Sequence, residues 1–167
     1  EVSDKKEIKM LDTFIINCLL SCWAKSSHKN KAMRAHEALQ KFREQYKCGT
    51  SNFGPNIISY NTVLNACAFT RGSMENKKEA LRIAFEVFKE AQTYSDETLK
   101  LDELTYSTMM KACTNLSQTE KDRMELIMPI LKQCSNDGCI GNLVRKELDF
   151  AFSKEKGKLL IDSCKDF

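Results

Sequence analysis

The chain has 167 residues, of which 42% are hydrophobic and 29% charged, a balance that excludes a disordered segment and predicts a globular core. Its formal net charge of +3 permits a nucleic-acid partner without indicating one, since strongly basic domains carry more charge. The apolar runs are too short to cross a bilayer, so we expect no membrane partner. With only 2 Pro and 6 Gly, the sequence predicts long helices.

The eight cysteines do not form a disulfide or zinc pattern. Four fall inside apolar helical runs, where we expect small buried hydrophobic residues: Cys18, Cys22, Cys67 and Cys113. Cys134 and Cys139 come closest to a ligand pair, but no C-x-x-C pair occurs, and neither His28 nor His36 is placed to complete a site. We expect no metal, no other cofactor and a reducing compartment.

Three nine-residue blocks share one pattern, and they span 12–20, 56–64 and 102–110. Each opens with Asp or Asn and carries a small amide or hydroxyl side chain five residues later. The blocks start 44 and 46 residues apart. Self-similarity at such a period is typical of stacked helical repeats.

Each block is predicted to begin the first helix of a repeat. Asp12, Asn56 and Asp102 stand where a side chain caps the free N–H groups of the first turn. A second helix follows in each repeat, with apolar residues at i, i+3, i+4 and i+7. These stripes are Ala35, Ala38, Leu39 and Phe42; Ala84, Val87, Phe88 and Ala91; and Ile127, Ile130, Leu131 and Cys134.

We therefore expect one repeat array over 1–167, cut from a longer protein, with units at about 12–55, 56–101 and 102–141 and a partial fourth at 142–167. Loops carry the variation in repeat length, at 25–31, 47–55, 71–78, 93–100 and 116–121. Pro129 predicts a kink or a helix that starts late. Asn142 is predicted to cap a helix over Leu143–Phe152, and the Lys-rich tail after it has no assigned element.

The segments Pro55-Asn-Ile-Ile-Ser-Tyr-Asn-Thr-Val-Leu-Asn-Ala-Cys67 and Leu101-Asp-Glu-Leu-Thr-Tyr-Ser-Thr-Met-Met-Lys-Ala-Cys113 resemble the first helix of a pentatricopeptide repeat. The resemblance covers Leu11 to about Phe152 and is strongest in the second and third units. It implies an all-α fold, a right-handed superhelical solenoid of helix-turn-helix repeats. It also implies single-stranded RNA as the partner, and RNA processing, stability or translation in mitochondria or chloroplasts. The units here are longer than the family's typical repeat, and only three are complete.

The resemblance also implies which side chains read RNA bases. Two polar residues would hydrogen-bond each base, one from a first helix and one from the junction with the next repeat. The implied pairs are Asn17 with Asn56 for a pyrimidine, Asn61 with Asp102 for uracil, and Ser107 with Asn142 for adenine. Three apolar residues would sandwich the bases, namely Phe14, Ile58 and Leu104.

Each of these residues also has a simpler interpretation. Asn17, Asn61 and Ser107 would then be solvated helix residues; Asp12, Asn56 and Asp102 simple caps; and Phe14, Ile58 and Leu104 packing residues. At the level of the whole chain, the alternative is a protein-interaction scaffold within a larger complex. Nothing resembles a catalytic triad, a phosphate-binding glycine loop or a deaminase motif, so we expect neither an enzyme nor a small-molecule substrate.

Overall fold

The computed structural model describes residues 2–93 and 100–164, with side chains from position 13 onward. Every regular element in these ranges is an α-helix, and no strand occurs within them. The helices are α1 (Val2–Lys25), α2 (Lys31–Lys47), α3 (Ile57–Ala68), α4 (Met74–Thr93), α5 (Glu103–Leu116), α6 (Glu120–Asn136), α7 (Asn142–Ala151) and α8 (Lys154–Ser163). The predicted all-α class is confirmed for this part of the chain. None of these helices is long and apolar enough to cross a membrane.

The helices pack in successive pairs. Each odd-numbered helix contacts the even-numbered helix that follows it, and the odd-numbered helices also contact one another in chain order. Helix α1 meets α3, α3 meets α5, and α5 meets α7. The four odd-numbered helices therefore form one contacting layer, and the surface of this layer carries the candidate site.

The core lies between the odd- and even-numbered helices and confirms the predicted stripes. All the stripe residues of α4 and α6 are buried, as are Ala35 and Leu39 of α2, while Ala38 and Phe42 pack against the core edge. Burying a Leu- or Ile-sized side chain contributes about 1.5–3 kcal/mol, so the large apolar residues of these stripes favour the folded state. Tyr60 and Tyr106 are fully buried and pack within this core.

The start of α1 corrects one prediction. Helix α1 begins at Val2 rather than after Asp12, so Asp12 is an internal helix residue and not its cap. Residues 2–11 contain neither Pro nor Gly and include three Lys, a good helix former, so nothing in them ends a helix. The side chain of Asp12 lies outside the described residues.

Two further boundaries differ from prediction. Helix α4 begins at Met74, inside the loop predicted over 71–78, because the Ser73 hydroxyl accepts the Asn76 backbone N–H at 3.4 Å while Asn76 Oδ1 accepts the Ser73 N–H at 3.2 Å. Helix α6 begins at Glu120 and runs through Pro129, so it does not start late. Pro129 and Glu125, whose carbonyl loses its helical donor, both lie on an exposed face where water can replace the missing bond. Of the loop predicted over 93–100, positions 94–99 lie outside the described residues.

The cysteines divide into two environments. Cys67 and Cys113 are fully buried as predicted, and burial raises the pKa of each thiol to about 12. Cys18 and Cys22 are exposed, so the prediction that they are buried is wrong. They lie on a side of α1 that α2 and α3 leave uncovered, and the apolar side chain of Leu19 is exposed there too. All eight cysteines are free thiols.

The C-terminal helices form a further contacting pair. Helix α7 matches the helix predicted over 143–152, and α8 gives the previously unassigned tail an element that packs on α7 through Ile161. Positions 165–167 lie outside the described residues. The unit boundaries as a whole remain a prediction.

Candidate nucleic-acid interface

The first helices of the second and third units are capped by the residues that the sequence indicates. Asn56 Oδ1 accepts the backbone N–H of Ser59 at 3.1 Å, and the Ser59 hydroxyl accepts the N–H of Asn56 at 3.2 Å. Asp102 and Thr105 form the same reciprocal box at the start of α5, at 2.8 and 3.5 Å. The capping interpretation of Asn56 and Asp102 is therefore confirmed. A residue used as a cap keeps only its remaining polar atoms for another partner.

The apolar residues two positions after Asp12, Asn56 and Asp102 do not pack into the core. Phe14, Ile58 and Leu104 are 65%, 57% and 48% exposed, so their interpretation as packing residues is wrong. Leu143, at the matching position of α7, is 44% exposed. The surface of the odd-numbered helices thus presents a row of accessible apolar side chains.

The first predicted pair, Asn17 with Asn56, lies together but is bonded internally. Asn17 Nδ2 donates to Asn56 Oδ1 at 3.4 Å, and Asn17 Oδ1 accepts the Ser59 hydroxyl at 2.6 Å. These contacts anchor the Asn17 amide in one orientation across the α1–α3 junction. Only part of its hydrogen-bonding capacity remains for a ligand.

The second predicted pair, Asn61 with Asp102, lines an open cavity of about 300 Å³ between α1, α3 and α5. Ile58 and Leu104 line the same cavity, together with polar groups that include Asn65 and Lys25. Asn61 is only 8% exposed, and its Oδ1 is buried without a hydrogen-bond partner. Among the described residues, no partner is found for its Nδ2 either, so nothing anchors this amide.

An unanchored buried amide is costly in the isolated protein. Leaving a buried acceptor without a partner costs about 1–3 kcal/mol, which a bound ligand would recover by hydrogen-bonding to it. Because a half-turn about the terminal torsion exchanges the amide oxygen and nitrogen, Asn61 can offer a ligand either an acceptor or a donor. Asp102 adds a carboxylate, whose Oδ1 accepts from Thr105.

The third predicted pair, Ser107 with Asn142, is displaced from the expected register. The N-cap of α7 is Gly141, and Asn142 is the first helical residue, so the prediction that Asn142 caps α7 is wrong. Its capping role is taken from outside the helix by Glu103, whose Oε1 accepts the N–H groups of Leu143 at 2.5 Å and Val144 at 3.4 Å.

Gly141 makes this arrangement possible. A Cβ at position 141 would lie 2.4 Å from the Glu103 carboxylate, so a side chain there would displace the group that caps α7. Ser107 donates its hydroxyl to the Leu104 carbonyl at 3.1 Å and is 8% exposed. Asn142 is exposed, so this third pair joins one buried and one exposed side chain.

The positive charge along this surface decreases towards α7. Lys111 on α5 lies 3.4 Å from the Glu147 carboxylate on α7, and its ammonium also lies 5.9 Å from the Phe69 ring centroid. Glu147 is buried, and burial raises the pKa of its carboxyl while the Lys111 charge opposes that shift. The α5–α7 end is therefore close to neutral, whereas Lys25 contributes positive charge at the α1–α3 end.

One polar cluster on the even-numbered helices was not indicated by any pattern in the sequence. His36 on α2 and Glu86 and Glu90 on α4 each place a potential ligand atom within 4.8 Å of the others. The two carboxylates already bind arginines, since Arg82 lies 2.8 Å from Glu86 and Arg43 lies 2.6 Å from Glu90. These ion pairs account for the cluster. Spacing in the sequence could not reveal it, because His36 and Glu86 lie on two helices about 50 positions apart.

No protein-family model matches the chain, and neither the curated proteins nor the solved structures contain a significant match to it.

Proposed function

We propose that this chain binds single-stranded RNA along the surface of α1, α3, α5 and α7, as a short right-handed solenoid of pentatricopeptide-like repeats. One base occupies the cavity between Asn61 and Asp102. The protein acts by binding rather than by catalysis, in RNA processing, stability or translation in mitochondria or chloroplasts. The organelle rests on the resemblance of the repeat sequences alone.

The unanchored amide of Asn61 is the observation that carries the proposal. Its oxygen is buried without a partner in a cavity of about 300 Å³, the lower end of the range for small-ligand sites. A flat base entering between Ile58 and Leu104 would cover both side chains and supply the missing hydrogen bond. Asp102 would contribute a second acceptor, which suits the imino N–H of uracil.

The decisive experiment is binding of fluorescent single-stranded RNA pools that differ at one position, at low and moderate salt. Phosphate contacts make binding weaken with salt, and base contacts make it depend on sequence. We expect both effects, with a preference for uracil at one position. Absence of binding at low salt, or binding without any base preference, would contradict the proposal.

A double variant, Asn61→Ala with Asp102→Asn, tests the cavity without disturbing α5. Asn is as good an N-cap as Asp, so the helix start is retained. The uracil preference should disappear while the salt dependence persists. The matched control is Asn136→Ala, an exposed amide at the end of α6 that should leave binding unchanged.

A protein partner is the second candidate, and the row of exposed apolar residues favours it. Phe14, Ile58, Leu104 and Leu143 could receive an apolar peptide face as well as bases, and the Lys111–Glu147 pair leaves α7 without excess positive charge. A pull-down after nuclease treatment separates the two. Loss of the apolar row should abolish capture of a protein partner even where Asn61→Ala has no effect.

A further inference from the structure

A second cavity, of about 360 Å³, opens between the α1–α2 and α3–α4 loops. Its polar lining combines three cationic side chains with two hydroxyls and an imidazole: Lys25, Lys31, Arg71, Ser26, Ser27 and His28. No acidic residue lines it. The two loops belong to successive repeats, so this collection of groups exists only because α1 packs against α3.

The cationic side chains of this cavity form no ion pair within the described part of the chain. Among residues 13–93 and 100–164, no carboxylate lies within 4.0 Å of the charged nitrogens of Lys25, Lys31 or Arg71. Elsewhere in the structure, arginines such as Arg43 and Arg82 have carboxylate partners. Three like charges around one cavity repel each other, and an anion between them would remove that repulsion.

Lys31 is the most constrained of the three cations. It is only 7% exposed, and its ammonium donates one hydrogen bond, to the Ala24 carbonyl at 3.1 Å. An ammonium has three N–H groups, so two remain for other partners. Burial lowers the pKa of Lys31, and the charge of Arg71 lowers it further. Buried charges are normally paired, so this environment is suited to an added negative group.

Neutral donors surround these charges. The backbone N–H of Asn30 donates to His28 Nδ1 at 3.1 Å, so the neutral ring carries its proton on Nε2 and can donate from there. The hydroxyls of Ser26 and Ser27 add further donors. Cationic and neutral donors together form the set that recognises the oxygens of a phosphate group.

We propose that this cavity, defined by Lys31, Arg71 and the loop at 25–28, binds a phosphate group. The phosphate belongs either to the backbone of a nucleic acid or to a free or terminal phosphate monoester. The proposal does not depend on base recognition at Asn61. Lys25 lines both cavities, so a chain whose base lies beside Asn61 would pass close to this pocket.

The test is a calorimetric titration of the whole chain with inorganic phosphate. Titration with chloride at equal ionic strength is the reference. Arg71→Gln is the main variant, because Arg71 is exposed and its loss should not disturb folding. Its phosphate affinity should fall roughly tenfold, the usual effect of removing one charged hydrogen bond. The matched control is Lys29→Gln, which removes the same charge from the same loop region outside the lining.

Lys29→Gln should change the affinity less than twofold if the pocket is specific. Equal losses in the two variants, or no saturable binding of phosphate above chloride, would overturn the proposal. Lys31→Met provides a second variant; its circular dichroism spectrum should match wild type while phosphate binding is lost.

A 5′-hydroxyl RNA oligonucleotide distinguishes the two sources of phosphate. If the ligand is a backbone phosphodiester, Arg71→Gln weakens RNA binding and inorganic phosphate competes with RNA. If it is a free or terminal phosphate, Arg71→Gln weakens phosphate binding and leaves the 5′-hydroxyl RNA unaffected. Asn61→Ala should leave phosphate affinity intact, so failure of the base cavity and failure of this pocket give different results.

Discussion

The α1–α3 and α3–α5 junctions carry an asparagine at the same position and use it in opposite ways. Asn17 is held by two hydrogen bonds from its own protein, whereas the buried Oδ1 of Asn61 has no partner among the described residues. The difference begins with the cap of the following helix. At α3 the Ser59 hydroxyl lies 2.6 Å from Asn17 Oδ1 and 3.2 Å from the amide oxygen of Asn56. At α5 the Thr105 hydroxyl lies 2.7 Å from the Asp102 carboxylate.

A carboxylate is a stronger hydrogen-bond acceptor than an amide. The Thr105 hydroxyl therefore donates to the carboxylate of its own cap, whereas the Ser59 hydroxyl donates across the junction to Asn17. Thr105 is also β-branched and therefore more restricted in rotamer than Ser59. We infer that the choice of Asp or Asn as cap controls whether the hydroxyl three residues later bonds to its own cap or to the neighbouring asparagine. For this reason, two repeats with similar sequences can differ in whether their asparagine is available to bind a ligand.

The largest expected effect is on RNA affinity when the α3–α5 cavity loses its apolar walls. Replacing Ile58 and Leu104 together by Ala should weaken binding roughly tenfold, because losing the burial of about two methylene groups costs about 1.6 kcal/mol. Stability should change little, since both side chains are about half exposed. Fluorescence anisotropy measures the affinity. The control is Leu159→Ala, which changes an exposed residue on α8. A similar loss of RNA affinity in this variant would show that the effect is not specific to the cavity.

The second prediction compares how much Asn17 and Asn61 contribute to the stability of the fold. Asn17→Ala removes two hydrogen bonds and should lower the free energy of unfolding by about 1 kcal/mol. Asn61→Ala removes an unpartnered amide and should not destabilise the fold. Urea denaturation measures both variants. If Asn61→Ala proved the more destabilising, the amide would have partners within the protein.

The third prediction uses pH at the α5–α7 junction. Because burial raises the pKa of Glu147, the folded protein binds its proton more tightly than the unfolded chain. That stabilisation is complete below the unfolded pKa and is lost as pH rises through the folded pKa. Glu147→Gln should therefore become more stable relative to wild type as the pH increases from 4 to 8.

Denaturation midpoints across that pH range test this prediction. Glu125→Gln on the exposed face of α6 is the control and should follow wild type. A Glu147→Gln curve parallel to wild type would show that Lys111 fully compensates the burial of the carboxylate.

The smallest effect is expected from exchanging the caps. Asn56→Asp should draw the Ser59 hydroxyl to the new carboxylate and release Asn17, without lowering stability, because Asn and Asp cap equally well. The Asn17 side-chain amide resonances in an NMR spectrum should then move towards solvent-exposed values. Unchanged resonances would indicate that the Asn17 amide remains anchored, contrary to the explanation for the two junctions.

The local sequence pattern was sufficient to predict most of the helices, but not to predict which groups contact them. The stripes of α4 and α6 and the caps Asn56 and Asp102 depend on residues within one or two turns, and they were predicted correctly. The prediction that Asn142 caps α7 failed because Glu103, 39 positions earlier, accepts the free N–H groups of that helix. Cys18 and Cys22 were misplaced because burial of a helix face depends on which neighbours cover it.

The sequence alone determined the helical class, the stripes that face the core and the polar residue that recurs along the first helices, because these follow from periodicity within single helices. Only the tertiary structure decided which of those polar residues is anchored, where α7 obtains its cap, and that loops of successive repeats assemble a cationic pocket. Each of these depends on contacts between residues about 40 positions apart. Such contacts are set by how the helices pack, which periodicity does not specify.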